Sequence, residues 1–83
     1  MEKITKQEII RRIDILSAEH LKLQKMAMQV EERIAETDEI DFETMELFYI
    51  ERDVICEGLC NIERTIESYN RLLEKINSEV RYE

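Results

Sequence analysis

Eighty-three residues with no proline, one glycine, 39% charged and 43% apolar side chains make at most one domain, built from helix-forming material with little left for turns or sheets. A formal net charge of −8 argues against DNA, RNA or an anionic membrane surface as partners, because each rewards clustered Lys and Arg. Two cysteines, no signal-peptide core and no apolar run near the ~20 residues of a membrane span exclude a disulfide framework and point to a cytoplasmic protein.

The first helix is expected over about residues 5–36. Thr5-Lys6-Gln7-Glu8 fits a capping box, with Thr at the N-cap and Glu at the third helical position, and Ile4 and Ile9 fall where a hydrophobic staple would close over it. From there a seam runs Ile9, Ile13, Leu16, His20, Leu23, Ala27, Val30, Ile34. Its steps alternate four and three, the spacing of a coiled-coil contact line. Residues 1–37 hold seven bases and seven acids.

A turn is expected at 37–41. Thr37-Asp38-Glu39-Ile40-Asp41 is short and polar. Asp41 suits an N-cap, with Ile40 and Met45 as the next staple pair. The acids Glu36, Asp38, Glu39, Asp41, Glu43 and Glu46 crowd this tip. They read first as a solvated turn matched to the positive end of a helix dipole. The alternative is an acidic tip held out to a partner.

The second helix is expected over about 42–80, with a seam at Met45, Phe48, Arg52, Ile55, Leu59, Ile62, Ile66, Tyr69, Leu73, Ile76 and Val80. The register passes through Gly58 unbroken, which favours one long helix. A bend there would instead make a three-helix bundle. Gly costs about 1 kcal/mol relative to Ala in a helix interior, so Gly58 suggests the close approach of another backbone. Residues 38–83 hold five bases and thirteen acids, and such an acidic half could meet a basic protein surface.

A short turn makes the two helices antiparallel neighbours. Counting outward from it sets Val30 beside Phe48, Ala27 beside Arg52, Leu23 beside Ile55, His20 beside Leu59, Leu16 beside Ile62 and Ile13 beside Ile66. These residues form the expected helix–helix core. His20 and Arg52 are polar residues in an apolar line and read as register-setters, with Arg52 within reach of Glu31.

Two helices share one interface and enclose no core. The stretch IDFETMELFYIERDVICEGLC, residues 40–60, nevertheless carries a second apolar stripe, Leu47, Ile50 and Val54, continued by Gly58. Tyr49, Cys56 and Cys60 thicken the opposite flank, and Ile10, Leu21, Met26 and Met28 lie off the first seam. The stripe, with Glu43, Glu46 and Glu51 flanking it, is the expected partner-binding surface. A second copy, giving a homodimeric four-helix bundle, is the simplest cover.

Dedicated chemistry is thin. Cys56 and Cys60 share a helical face, but with His20 they make three donors where structural zinc takes four. No metal, cofactor or catalytic residue is expected. Tyr49-Ile50-Glu51-Arg52-Asp53 matches the YxxxD secretion pattern, inside a helix and without the Trp-x-Gly turn that accompanies it.

Three families share fragments of the pattern. VEERIAETDEIDFETMELFYIERD, residues 30–53, resembles the tip of the Gre transcript-cleavage coiled coil, with Asp41 and Phe42 matching its leading Asp and Leu while Thr44 and Met45 depart. That resemblance implies an acidic tip presented to RNA polymerase. Ile13-Asp14 and Leu21 resemble the opening helix of the all-helical chorismate mutases, which implies a small enzyme. The arginines that class needs are out of phase here. TKQE and Asp53-Val54-Ile55-Cys56-Glu57-Gly58-Leu59 resemble the Rop-type RNA-binding bundle, against which the helix length and the charge both count. The expectation is an all-α antiparallel two-helix hairpin spanning 1–83. It would work without catalysis, as a protein-interaction module acting as adaptor, assembly chaperone or inhibitor of a protein partner.

Overall fold

The computed structural model describes residues 4–37 and 41–81, with side chains as far as residue 78. Its two helices are α1, Lys6–Glu36, and α2, Phe42–Arg81. Among the described residues there is no strand. The chain is an all-α hairpin, and its helices run antiparallel. Arg12 reaches Tyr69, His20 reaches Glu63 and Arg52 reaches Glu31, so rising numbers on one helix meet falling numbers on the other.

The caps explain where the helices begin. Thr5 is extended (φ −90°, ψ 155°), and its hydroxyl accepts the Glu8 N–H at 3.2 Å. Glu8 does not complete the expected box with a return bond to Thr5. Its carboxylate pairs instead with Arg12 at 3.3 Å. Asp41 caps α2, accepting the Thr44 N–H at 3.2 Å and the Thr44 hydroxyl at 2.7 Å. At the far end of α1, the Thr37 N–H and hydroxyl both donate to the Arg33 carbonyl, at 2.9 and 2.6 Å. These bonds satisfy a carbonyl that the helix itself leaves open. Asp38, Glu39 and Ile40, the remainder of the expected acidic turn, lie outside the described residues, as does the Val80 side chain.

Packing follows the sequence seam. Every seam residue from Ile9 to Ile34 on α1, and from Met45 to Ile76 on α2, is buried or half-buried. That includes the expected core residues Ile13, Leu16, His20, Leu23, Phe48, Arg52, Ile55, Leu59 and Ile62. Yet among the described residues only Ile9, Val30 and Ile55 are fully buried. Two rods touch along a line, so most seam side chains keep one edge in water.

The contacts fall about one turn further along α2 than level counting gives. Leu23 reaches Gly58, one turn past Ile55, and His20 reaches Glu63, one turn past Leu59. Helical side chains lean toward their own N-terminus. Between antiparallel helices the two leans point in opposite directions, and the tips that meet belong to residues offset in this sense.

α2 continues through Gly58 without interruption, which removes the three-helix alternative. Within the hairpin, the neighbour that the glycine faces is a side chain and not the backbone of α1. A Cβ at Gly58 would stand 3.3 Å from Leu23 Cδ1. That atom is the free end of a flexible side chain and can give by a few tenths of an ångström. Gly58→Ala should therefore recover most of the glycine penalty, roughly 0.5–1 kcal/mol. Thermal unfolding at fixed protein concentration should show Tm rising by a few degrees. A fall would mean that Leu23 is locked.

Candidate interaction surface

The seam has two flanks, and they differ in character. One is bridged by polar contacts. His20 Nε2 lies 2.9 Å from Glu63 Oε1. Arg52 lies 3.5 Å from Glu31 of α1 and stacks over Tyr49, its guanidinium carbon 4.9 Å from the ring centre. Arg52 also lies 3.9 Å from Asp53. The two polar seam residues thus turn the same way, each toward a carboxylate on the opposite helix. Cys56 and Cys60 follow Tyr49 on this side of α2, as exposed free thiols.

The other flank is open. Here the helices frame an apolar groove of about 420 Å³. Its floor is the buried pair Val30 and Ile55, and its walls are Met26 from α1 and Ile50 and Val54 from α2. Ile50 and Val54 stand 55% and 64% exposed. Arg33 of α1 and Glu51 of α2 lie at the rim, with Gln29 between Met26 and Arg33. Leu47, also exposed, lies one turn before Ile50 and carries the apolar surface toward the tip. Half-buried Gly58 lies one turn beyond Val54.

Of the residues expected to bind a partner, Ile50, Val54 and Glu51 are brought together in this groove, with Leu47 adjoining. Glu43 and Glu46 are exposed on the turns before it and do not line it. Met26 stood out in the sequence as apolar and off the seam, but only the fold assigns it to the same flank as Val54. Arg33 was not legible as a rim residue. Ile15 was missed as well. It is exposed and borders a smaller hollow on the same flank with Arg12, Leu16, Thr65 and Tyr69. Reading the residues one position off the seam, rather than the seam itself, would have shown it. There the Arg12 guanidinium donates to the Tyr69 hydroxyl at 3.5 Å. That bond, with the Tyr69 and Glu8 electrostatics, raises the Arg12 pKa, so Arg12 remains cationic at any working pH.

The other candidates have different surroundings. Asp41, the residue that matches the Gre tip, spends both carboxylate oxygens on Thr44. Among the described residues, no group of three or more His, Cys, Asp or Glu side chains converges on a metal position. No described helix is long and apolar enough to cross a membrane. No protein family, curated protein or solved structure matches the chain.

The polar bridges are half-wet, and their energies should be correspondingly small. Arg52 and Glu31 are 35% and 55% exposed, and pairs of this kind contribute at most about 1 kcal/mol. Arg52→Met keeps the aliphatic stem and should leave stability within about 1 kcal/mol, whereas Arg52→Ala also loses packing and should cost more. Denaturant midpoints of the two variants, with Glu31→Gln for comparison, test this ordering.

Proposed function

We propose that this protein is a protein-interaction module, acting as adaptor, assembly chaperone or inhibitor, and that it works through the groove between Met26 and Val54. The observation that carries the reading is the exposed apolar wall. Ile50 and Val54 lie on the surface, over a floor that is already dry. Burying such a side chain stabilises a complex by about 1.5–3 kcal/mol, and small domains have little stability to forgo. Apolar patches rimmed by charge mark association sites on soluble proteins.

The shape supports the same reading. The hairpin exposes 7128 Å², against about 5,200 Å² for a compact folded chain of this mass. Its radius of gyration is 18.9 Å, where a compact chain of this length would have about 12 Å. The excess area is larger than the ~800 Å² that each partner contributes to a standard interface. A second helical pair laid on the groove completes a four-helix bundle, and a homodimer supplies that pair from this chain alone.

Ile50→Asp together with Val54→Asp should weaken association roughly 100-fold or more, because each carboxylate would have to be buried in the interface. Both side chains are exposed in the hairpin, so helicity should be retained. Sedimentation equilibrium reads the first outcome and far-UV circular dichroism the second. Association undiminished in the folded double variant would show that the groove is not the working surface.

A further inference from the structure

We propose that the groove is roofed by a second copy of this chain lying full length and tips apart, so that α1 runs antiparallel along α1 of the other protomer and Glu19 faces Lys22 of the partner subunit. The inference rests on the groove reading and adds to it an occupant, an orientation and a register.

Charge is divided along the rod. Residues 26–57, which are the turn and the helix halves beside it, hold eleven acids against Arg33 and Arg52 alone, net −9. The remaining residues hold nine acids and ten bases, net +1. A two-fold axis along the rod would lay tip beside tip, acid against acid. An axis across the middle of the rod reverses the partner and lays each acidic half beside a near-neutral one. Both keep neighbouring helices antiparallel, so backbone geometry does not choose between them. Like charges brought together disfavour the first arrangement and leave the second.

The groove flank itself can accept a like-charged copy. The seam keeps its 3.5-residue period, so residues seven apart hold the same place beside it. Following the groove-lining residues along their helices at steps of seven, as far as residue 78, meets six acids and six bases. The net charge of the molecule therefore lies on its other faces and at the turn. A strongly basic partner would find no matching excess of acid on this flank.

The order of side chains along α1 sets the register. Counting outward from the point between Glu19 and Lys22, Glu19 mirrors Lys22, Ile15 mirrors Met26 and Glu8 mirrors Arg33. Such a line pairs with its own reversed copy, acid on base and apolar on apolar, each contact made twice. Exposed Ile15 of the partner subunit thereby covers Met26 on the wall of the groove.

The second helix agrees at the same level. His20 reaches Glu63 and Leu23 reaches Gly58, so the axis crosses α2 near residue 61. Counting outward from there brings Glu57 to Arg64 of the partner subunit, Glu51 to the partner's Arg71 and Ile50 to the partner's Leu72. Leu72 is half-buried and off the seam, seven-residue steps along from Glu51, and it completes the apolar roof with Ile15. On the far flank the His20–Glu63 and Arg52–Glu31 bridges remain outside the interface, wetted as they already are.

Two measurements on the full chain test this. In the first, Lys22→Glu and Glu19→Lys are made separately. Within one chain these two residues form only an exposed pair, which contributes little to stability, so both variants should fold. Each homodimer then meets like charges twice at its centre and should dissociate about tenfold more readily. An equimolar mixture restores both pairs between chains but not within either chain. Native mass spectrometry should show the mixed dimer in several-fold excess over the statistical share. In the second, Cys56→Ser and Cys60→Ser free the chain of reactive thiols, and a spin label is placed at Glu74→Cys, near the open end. Full-length tips-apart pairing separates the labels by roughly 45 Å at 1.5 Å per residue, against roughly 20–30 Å for tips together and roughly 65 Å for tips apart centred on the groove. Mixed-dimer preference with the intermediate distance is the expected result. A dimer with random mixing, or with either other distance, overturns the arrangement and leaves the groove reading standing. A wild-type chain that stays monomeric to millimolar concentration overturns the second copy as occupant. If the Ile50 and Val54 variant dimerises like wild type, the groove reading itself fails.

Discussion

Two helices have only one line along which to touch, and the rest of this molecule follows from that restriction. Seam residues at alternating three and four spacing pack against each other, but nothing roofs them. Only Ile9, Val30 and Ile55 become dry among the described residues. A four-helix arrangement would bury the same seam from both sides. A hairpin leaves each flank half in water, and those flanks decide what the protein can do.

The half-wet seam explains why His20 and Arg52 are tolerated in it. In a closed core, each would need a fully satisfied partner and would lose several kcal/mol to desolvation. Here both turn to the same flank, where each meets a carboxylate from the opposite helix and water. Tyr49 adds its ring face to Arg52, an arrangement favourable by about 0.5–1 kcal/mol at exposed sites. One flank is thereby committed to polar bridges. Apolar surface is left to the other, where Val30 and Ile55 form a floor that Met26, Ile50 and Val54 only partly wall. The asymmetry matters more than the amount of exposed apolar area. Scattered apolar residues on a surface need no explanation, whereas a groove with a dry floor and a charged rim has the form of a binding site.

The seam and the two helix starts were legible because they obey local rules. A 3.5-residue period identifies the contact line, and Thr5 and Asp41 have side chains suited to capping N–H groups three residues on. The Arg52–Glu31 pair was legible too, since hairpin counting brings those residues within a turn of each other. What counting could not supply was the tilt of side chains toward their own N-termini, which moved each tip contact one turn along α2. The fit at Gly58 depends on the same detail, because the neighbour is the end of Leu23 and not a backbone. Met26 shows a different limit. Its apolar character was plain, but membership of a groove depends on which side of both seams it falls, and that has to be worked out from the antiparallel facing of the two seams. Glu8 shows a third. A capping box and an i, i+4 pair with Arg12 compete for one carboxylate, and sequence alone does not choose between them.

A hairpin of this kind also links folding to association. Three fully buried apolar side chains among the described residues are few against the backbone and side-chain ordering that folding requires. The half-buried seam must supply most of the remainder, and it supplies less per residue than a closed core would. Any surface that covers the groove would therefore do two things: bind, and dry the edge of the seam at Val30 and Ile55. Binding that selects the folded state raises its apparent stability with partner concentration. On that reading, the exposed wall at Ile50 and Val54 is not spare hydrophobicity on an otherwise finished fold. It is the missing second side of the same core.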